Sequence, residues 1–285
     1  MPTAADVIAV LDRLYPPGTA ADWDAVGPVC GDPATEVRTI LLAIDPLEAV
    51  VDEALTLGAD LLITHHPVYL RGTSTVWAGT PKGRLIQRLI TGGCGLVVAH
   101  TNADVAAAGV SEALAAALGL TGCVPLVPDP RDPVTGSGRV GRLAAPMTLR
   151  AFAAHVAASL PATPAGVRAA GDAERVVSTV AVCGGAGDSY LADATRAGVD
   201  AYVTADLRHH YASEHLAAGG PALVDPGHWA SEWPWLPVAA RALADGLRAA
   251  HPDGATVRVH VSESITDPWT LHAPHDLDER PGPRA

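Results

Sequence analysis

Two groups of potential metal ligands stand directly after strand-like apolar runs. One is Thr64-His65-His66-Pro67, and the other is Asp225-Pro226-Gly227-His228-Trp229-Ala230-Ser231-Glu232. A third strand end, His100-Thr101-Asn102-Ala103-Asp104, offers another carboxylate. Imidazole and carboxylate donors gathered at strand ends suit a divalent metal. His65 and His66 are adjacent, so in an extended strand their side chains would point oppositely. At a bend before Pro67 both could turn into one cavity. His228 and Glu232 are four apart and would share a face of a helix starting near Gly227. The three imidazoles and two carboxylates are too few for two metals held separately. They suffice if Glu232 bridges and water fills the open positions. Two divalent ions would bring about four positive charges, and Asp104 with Glu232 return about two, so the remainder favours an anionic substrate. Each piece also has a plainer reading. His228 could be a core histidine bonded to the backbone, Glu232 a solvated helix residue, Asp104 a helix N-cap, and His209-His210 a polar helix start.

These side chains need elements to position them. Residues 3–15 read as a helix capped by Thr3, with Val7, Val10, Leu11 and Leu14 on one face. Val37–Ile44 is an apolar run, as in a strand covered on both sides. Residues 46–57 have helical spacing, with Gly58 as the C-cap. Leu61–Thr64 is the next strand, and Pro67 stops it from continuing. A helix over 81–91, a strand over Gly95–Ala99 and a helix over 109–119 complete this half. Strand-helix alternation of this kind indicates an α/β fold with mainly parallel sheets.

The segment 125–147, rich in Pro, Gly and Asp, marks a boundary between halves. Beyond it the pattern returns. Residues 37–66 align with 177–206 without a gap, and Val37/Val177, Thr39/Thr179, Ala54/Ala194, Gly58/Gly198, Asp60/Asp200 and Thr64/Thr204 are identical. That register sets Ala205 and Asp206 opposite His65 and His66. The expected architecture is two similar α/β lobes, 1–125 and 126–270, arising by internal duplication, followed by a loose tail over 271–285. Strand ends from both lobes would then face one cleft holding a dinuclear metal site.

Composition excludes other classes. The formal net charge is −12, with 31 acids against 19 bases and no Lys/Arg cluster, which makes nucleic acid an improbable ligand. The four cysteines are widely spaced without Cys-x-x-Cys, as free thiols in a reducing cytosol would be. Neither a signal-peptide pattern nor a membrane-spanning apolar run is present, so a cytoplasmic location is expected.

Six ordered motifs give the chain a family resemblance. They are Trp23-Asp24-Ala25-Val26-Gly27, Leu61-Leu62-Ile63-Thr64-His65-His66-Pro67, His100-Thr101-Asn102-Ala103-Asp104, Val180-Ala181-Val182-Cys183-Gly184-Gly185, Thr204-Ala205-Asp206-Leu207-Arg208-His209-His210 and Asp225–Glu232. In these the chain resembles the Nif-three-like dinuclear-metal-centre family, whose bacterial members go by the name GTP cyclohydrolase 1 type 2 homologues. The resemblance spans nearly the whole chain. It implies that His65, His66, Asp104, His228 and Glu232 hold two divalent ions (Zn, Mn, Fe or Co), with Glu232 touching both. It implies that His100 and His210 line the same cavity as proton-transfer candidates. It also implies a toroidal homohexamer, in the compact form without an inserted domain. The activity it implies is hydrolysis, a metal-bound hydroxide attacking a small anionic substrate such as a nucleotide. No Gly-rich phosphate loop or base-reading motif is present. The alternative is a non-catalytic metal-binding, metal-handling or scaffold protein.

Overall fold

Both faces of the first sheet are covered, which is why its strands carry apolar runs rather than alternation. The computed structural model describes residues 1–252 and 256–273. In chain order the first elements are α1 (Ala4–Leu14), β1 (Gly27–Cys30), β2 (Thr39–Ala43), α2 (Glu48–Leu57), β3 (Leu61–Thr64), α3 (Pro81–Thr91), β4 (Gly95–Val98), α4 (Thr101–Val105) and α5 (Val110–Ala117). Leu41, Leu62 and Leu96 pack with Val50, Val51, Leu85 and Leu89 of α2 and α3. Their neighbours Ile40, Leu42, Ile63 and Val97 pack on the other face with Val7, Val10 and Leu11 of α1. At the start of α1 the Thr3 side chain and the Asp6 carboxylate each bond the other's backbone N–H. The helices and strands expected in this half agree with those observed to within two residues. The strand β1 and the short helix α4 were not anticipated; α4 follows His100 and carries Asp104.

The chain continues through β5 (Thr121–Val124), β6 (Val127–Asp129), β7 (Asp132–Ser137), β8 (Arg139–Thr148), α6 (Leu149–Ser159), β9 (Arg168–Ala170) and β10 (Val176–Ala186). It ends with α7 (Leu191–Arg196), β11 (Ala201–Ala205), α8 (His209–Ala217), β12 (Ala222–Asp225), α9 (His228–Glu232), α10 (Trp235–Ala250) and β13 (Arg258–Val261). The first sheet has the order β1-β4-β3-β2-β13, parallel throughout except for β1. The second has the order β5-β8-β10-β11-β12-β9. Only β10/β11 and β11/β12 pair in parallel there, so the expectation of mainly parallel sheets is corrected for this sheet. Helical crossovers link only those pairs, and parallel strands need such crossovers.

The segment 125–147, where the sequence marks a boundary between halves, is itself structured. It forms the β6-β7 hairpin and most of β8. Its glycines are required by turns and close approach: Gly136 and Gly138 have φ of 138° and 64°, and a Cβ at Gly136 would lie 2.2 Å from Val127 O. The two sheets also do not divide the chain at a single cut. β5 joins the second sheet, whereas β13, from near the C-terminal end, pairs with β2. The helix α5 serves both cores, through Val110 and Ala113 on one side and Leu114 and Ala115 on the other.

The aligned halves share a local device. Asp60 accepts from the backbone N–H groups of Arg38 and Thr39 at 2.7 and 2.9 Å. Asp200 accepts from those of Ser178 and Thr179 at 3.0 and 2.8 Å. Gly58 and Gly198 close the preceding helices at φ 64° and 66°. Among the described residues no helix is long and apolar enough to cross a membrane. Most of the tail expected at 271–285, from residue 274 onward, lies outside the described residues.

Candidate metal centre

The parallel ladder runs one step past β3: His65 N donates to Ala43 O at 3.1 Å and His66 N to Ile44 O at 2.9 Å. Thr64 Oγ1 then donates to His66 O at 2.9 Å. This bend brings the two rings to 5.0 Å rather than to opposite faces. His228 and Glu232 open and close α9, and the carboxylate reaches back to His228 Nε2 at 3.0 Å. Asp104 comes from α4, the turn directly after β4.

Each imidazole is oriented by an oxygen on its Nδ1. His65 Nδ1 lies 2.9 Å from Ala99 O, and His66 Nδ1 lies 2.7 Å from Asp45 Oδ1. His228 Nδ1 lies 2.7 Å from Asp206 Oδ2, and His100 Nδ1 lies 2.8 Å from Asp24 Oδ1. A carbonyl or carboxylate oxygen only accepts, so each Nδ1 carries the proton and Nε2 is the free end. Those free ends gather on Glu232. Its oxygens lie 3.6 Å from His65 Nε2 and 3.2 Å from His66 Nε2. His65 Nε2 is also 3.6 Å from Asp104 Oδ1, and the Nε2 atoms of His66 and His228 are 3.2 Å apart. His65 Nε2 and Glu232 Oε2 are buried and make no well-formed hydrogen bond. Lone pairs and carboxylate oxygens packed this closely repel one another unless protons or a metal cation lie among them. The donor set therefore fits metal.

The structure brings together His65, His66, Asp104, His228 and Glu232. His100 stands with them: its donor nitrogen falls within 4.8 Å of those of His65 and His66. His210 does not join them. It is exposed in the first turn of α8, with its ring 5.3 Å from that of His209. Residue-by-residue reading had not assigned roles to Asp24, Asp45 and Asp206. Two signals were present, since Asp24 lies in a family motif and Asp206 faces His66 in the repeat register. Asp206 is the only non-glycine with positive φ (56°) among the described residues, a conformation Asp and Asn tolerate best. Asp206→Asn keeps that backbone while removing the charge behind His228. Its metal affinity, measured by titration against a chelator, is expected to fall roughly 10- to 100-fold.

Backbone fit matters equally. A Cβ at Gly185 would lie 2.2 Å from Glu232 Oε1 and 3.0 Å from His228 Nε2. The Gly184-Gly185 pair thus lets β10 pass against the cluster where no side chain has room.

Burial opposes charge on Glu232, yet the neighbouring His66, His228 and His65 hold its carboxyl well below the usual range. Burial likewise opposes charge on His66 and His228, but Glu232 and the carboxylates behind them push these imidazoles up to about 10 and about 11. Burial and the neighbouring His65 push His100 down to about 4, which keeps it neutral near pH 7. Burial raises Asp104 to about 6. With folded-state values above their ordinary 6.5, His66 and His228 stabilise the metal-free protein fully at acid pH, and that contribution declines as pH rises above 6.5 and is gone once pH passes about 10 to 11. Metal needs the same Nε2 atoms deprotonated. Loading at pH 7 is therefore expected to release on the order of two protons per chain, and apparent affinity should climb with pH. Calorimetry in two buffers of different ionisation heat reads that number directly.

The charge balance also changes. Asp24, Asp45 and Asp206 add about three negative charges to the two of Asp104 and Glu232, leaving a site with two divalent ions near neutral rather than strongly positive. A cavity of about 530 Å³ opens beside His66 and His228, walled by Asp45, Arg168, Trp229 and the segment around Trp269.

Residues 2–268 match the Duf34/NIF3 (NGG1p interacting factor 3) family. The chain belongs to this family. Among Duf34/NIF3 relatives, one from Streptomyces coelicolor is 54% identical over 274 residues, covering 95% of each chain. One from Mycobacterium tuberculosis is 39% identical, covering 94% of this chain and 96% of its own. Both carry the name GTP cyclohydrolase 1 type 2 homolog. The latter alignment runs over 373 positions against 285 residues here, so that Duf34/NIF3 relative contains sequence this chain lacks. A solved Bacillus cereus structure described as related to NIF3 superposes with a TM-score of 0.87 at 26% identity, covering 95% of this chain and all of the other.

Proposed function

We propose that this protein is a dinuclear-metal hydrolase acting on a small substrate with an anionic end, nucleotides included. The observation that carries the reading is the pair of buried atoms that make no well-formed hydrogen bond, His65 Nε2 and Glu232 Oε2, at the point where four imidazoles and two carboxylates converge. His65, His66, Asp104, His228 and Glu232 would hold two ions of Zn, Mn, Fe or Co, with Glu232 shared. Such a metal pair supplies Lewis acidity and activates water at neutral pH. The chain's own residues orient the imidazoles, exclude water from the Glu232 side, and leave the His66–His228 side open to the cavity. His100, neutral and pinned by Asp24, is placed to accept a proton rather than donate one. His210 would take part only from outside the cluster. Because the loaded site is near neutral, an anion would be held by the metals themselves rather than by a positive wall. The name shared by the relatives makes GTP the first compound to assay.

The same reading includes two lobes related by internal duplication, supported by the matching Asp60 and Asp200 contacts. It also includes a cytoplasmic, toroidal homohexamer. The test is elemental analysis of the purified protein beside His66→Ala, with both assayed on GTP and a panel of phosphoesters. About two ions per chain and turnover, both lost in the variant, are expected. Full metal loading without turnover on any compound would sink the hydrolase reading and leave a metal-handling protein.

A further inference from the structure

The last described segment of the chain is fastened along the mouth of the cavity. Ser262 N donates to Leu42 O at 2.8 Å, and the Ser262 and Ser264 hydroxyls donate to Glu53 Oε2 at 2.7 and 2.8 Å. Thr266 Oγ1 donates to Asp45 Oδ2, and the other oxygen of that carboxylate holds His66 Nδ1. Asp267 is buried and accepts from Trp269 N at 2.9 Å. The segment is therefore anchored at Ser262, Ser264 and Thr266, with a local turn at Asp267–Trp269. The Trp269 ring is not: it is 67% exposed and lines the cavity beside His66 and His228. An ordered tryptophan that leaves its ring uncovered next to a donor cluster is available to a ligand.

We infer that Trp269 is the residue that recognises the substrate, stacking on a planar aromatic ring while the substrate's anionic end is taken by the metals. The anionic end rests on the function proposed above; the ring contact does not. Charge supports the division of labour. Among the described residues, Arg168 is the one Lys or Arg of the cavity wall, and its guanidinium is already engaged by Asp225 at 2.6 Å. Selectivity among anions must then come from the uncharged part of the ligand, and Trp269 with Leu271 supplies the exposed apolar surface for it. The strap is also tied to the metal side through Asp45, so ring and anion would be bound at a set distance.

Phenylphosphonate and methylphosphonate separate ring from anion, and their C–P bonds let binding be read without turnover. Calorimetric titration of the metal-loaded protein is expected to show phenylphosphonate binding roughly 5- to 150-fold tighter, the range of one stacked ring. Trp269→Ala and Trp269→Leu should abolish that preference, and Trp269→Phe should keep most of it. Equal binding of the two phosphonates by the wild type, binding of neither, or a preference that survives in Trp269→Ala each overturns the inference. So does a changed oligomeric mass in Trp269→Ala with the preference intact, which would assign the ring to a subunit contact. A Trp269-dependent preference in a protein that turns over nothing would sustain the inference while the hydrolase reading fell.

Discussion

Glu232→Gln is expected to strip the protein of its metal while leaving the fold in place. The side chain is buried, and its two oxygens are the shared focus of His65, His66 and His228 at 3.0 to 3.6 Å. The amide has the same shape but no charge, and its NH2 end cannot ligate a cation as the carboxylate oxygen can. The loss should exceed the roughly 10- to 100-fold that follows from removing an orienting carboxylate behind a ligand. Elemental analysis after desalting should find almost no metal. The same change removes the main attraction that holds protons on His66 and His228, so both imidazoles should titrate near or below their ordinary range. A variant that retains full metal content would show that Glu232 is not a ligand.

Arg139→Met is expected to destabilise the protein by about 3–5 kcal/mol, measured by denaturant titration at fixed metal concentration. Arg139 is almost fully buried at the start of β8. Its guanidinium donates to Glu112 Oε2 at 2.7 Å, to Gly136 O at 2.8 Å, to Gly138 O at 2.7 Å and to Ala106 O at 2.7 Å. Methionine fills much of the volume but leaves three carbonyls without their donor. Each orphaned acceptor costs about 1–3 kcal/mol, and no nearby group can replace a five-donor fork. Ala106 directly follows the helix that presents Asp104, so the folded fraction should also bind metal more weakly. A change below about 1 kcal/mol, the scale of an exposed pair, would mean that this network contributes little.

The elements of the first half were legible because their signals are local. The cap at Thr3, the stop at Gly58 and the apolar runs at 37–44, 61–64 and 95–99 each name a strand or helix without reference to anything distant. The strands within 125–147 were not legible for the same reason. Pro, Gly and Asp announce turns, but whether turns join packed strands or make a linker depends on what covers them. Here the buried Arg139 and the passage of β8 alongside β10 decide it, and neither shows in local composition. The pairing of β13 with β2 lay equally beyond reach, since it joins segments more than two hundred positions apart.

The sequence by itself determined which residues could hold metal, because imidazole and carboxylate placed at strand ends is a matter of residue type and short-range spacing. It determined the family for the same reason, through six motifs in order. Only the tertiary structure decided that Asp24, Asp45 and Asp206 stand behind the imidazoles, that His100 stands among the candidate ligands and His210 does not, and that Trp269 lines the cavity. Each of those depends on contacts between chain segments far apart in sequence, and such contacts are fixed by how the two sheets and the C-terminal segment pack. No local propensity encodes that packing.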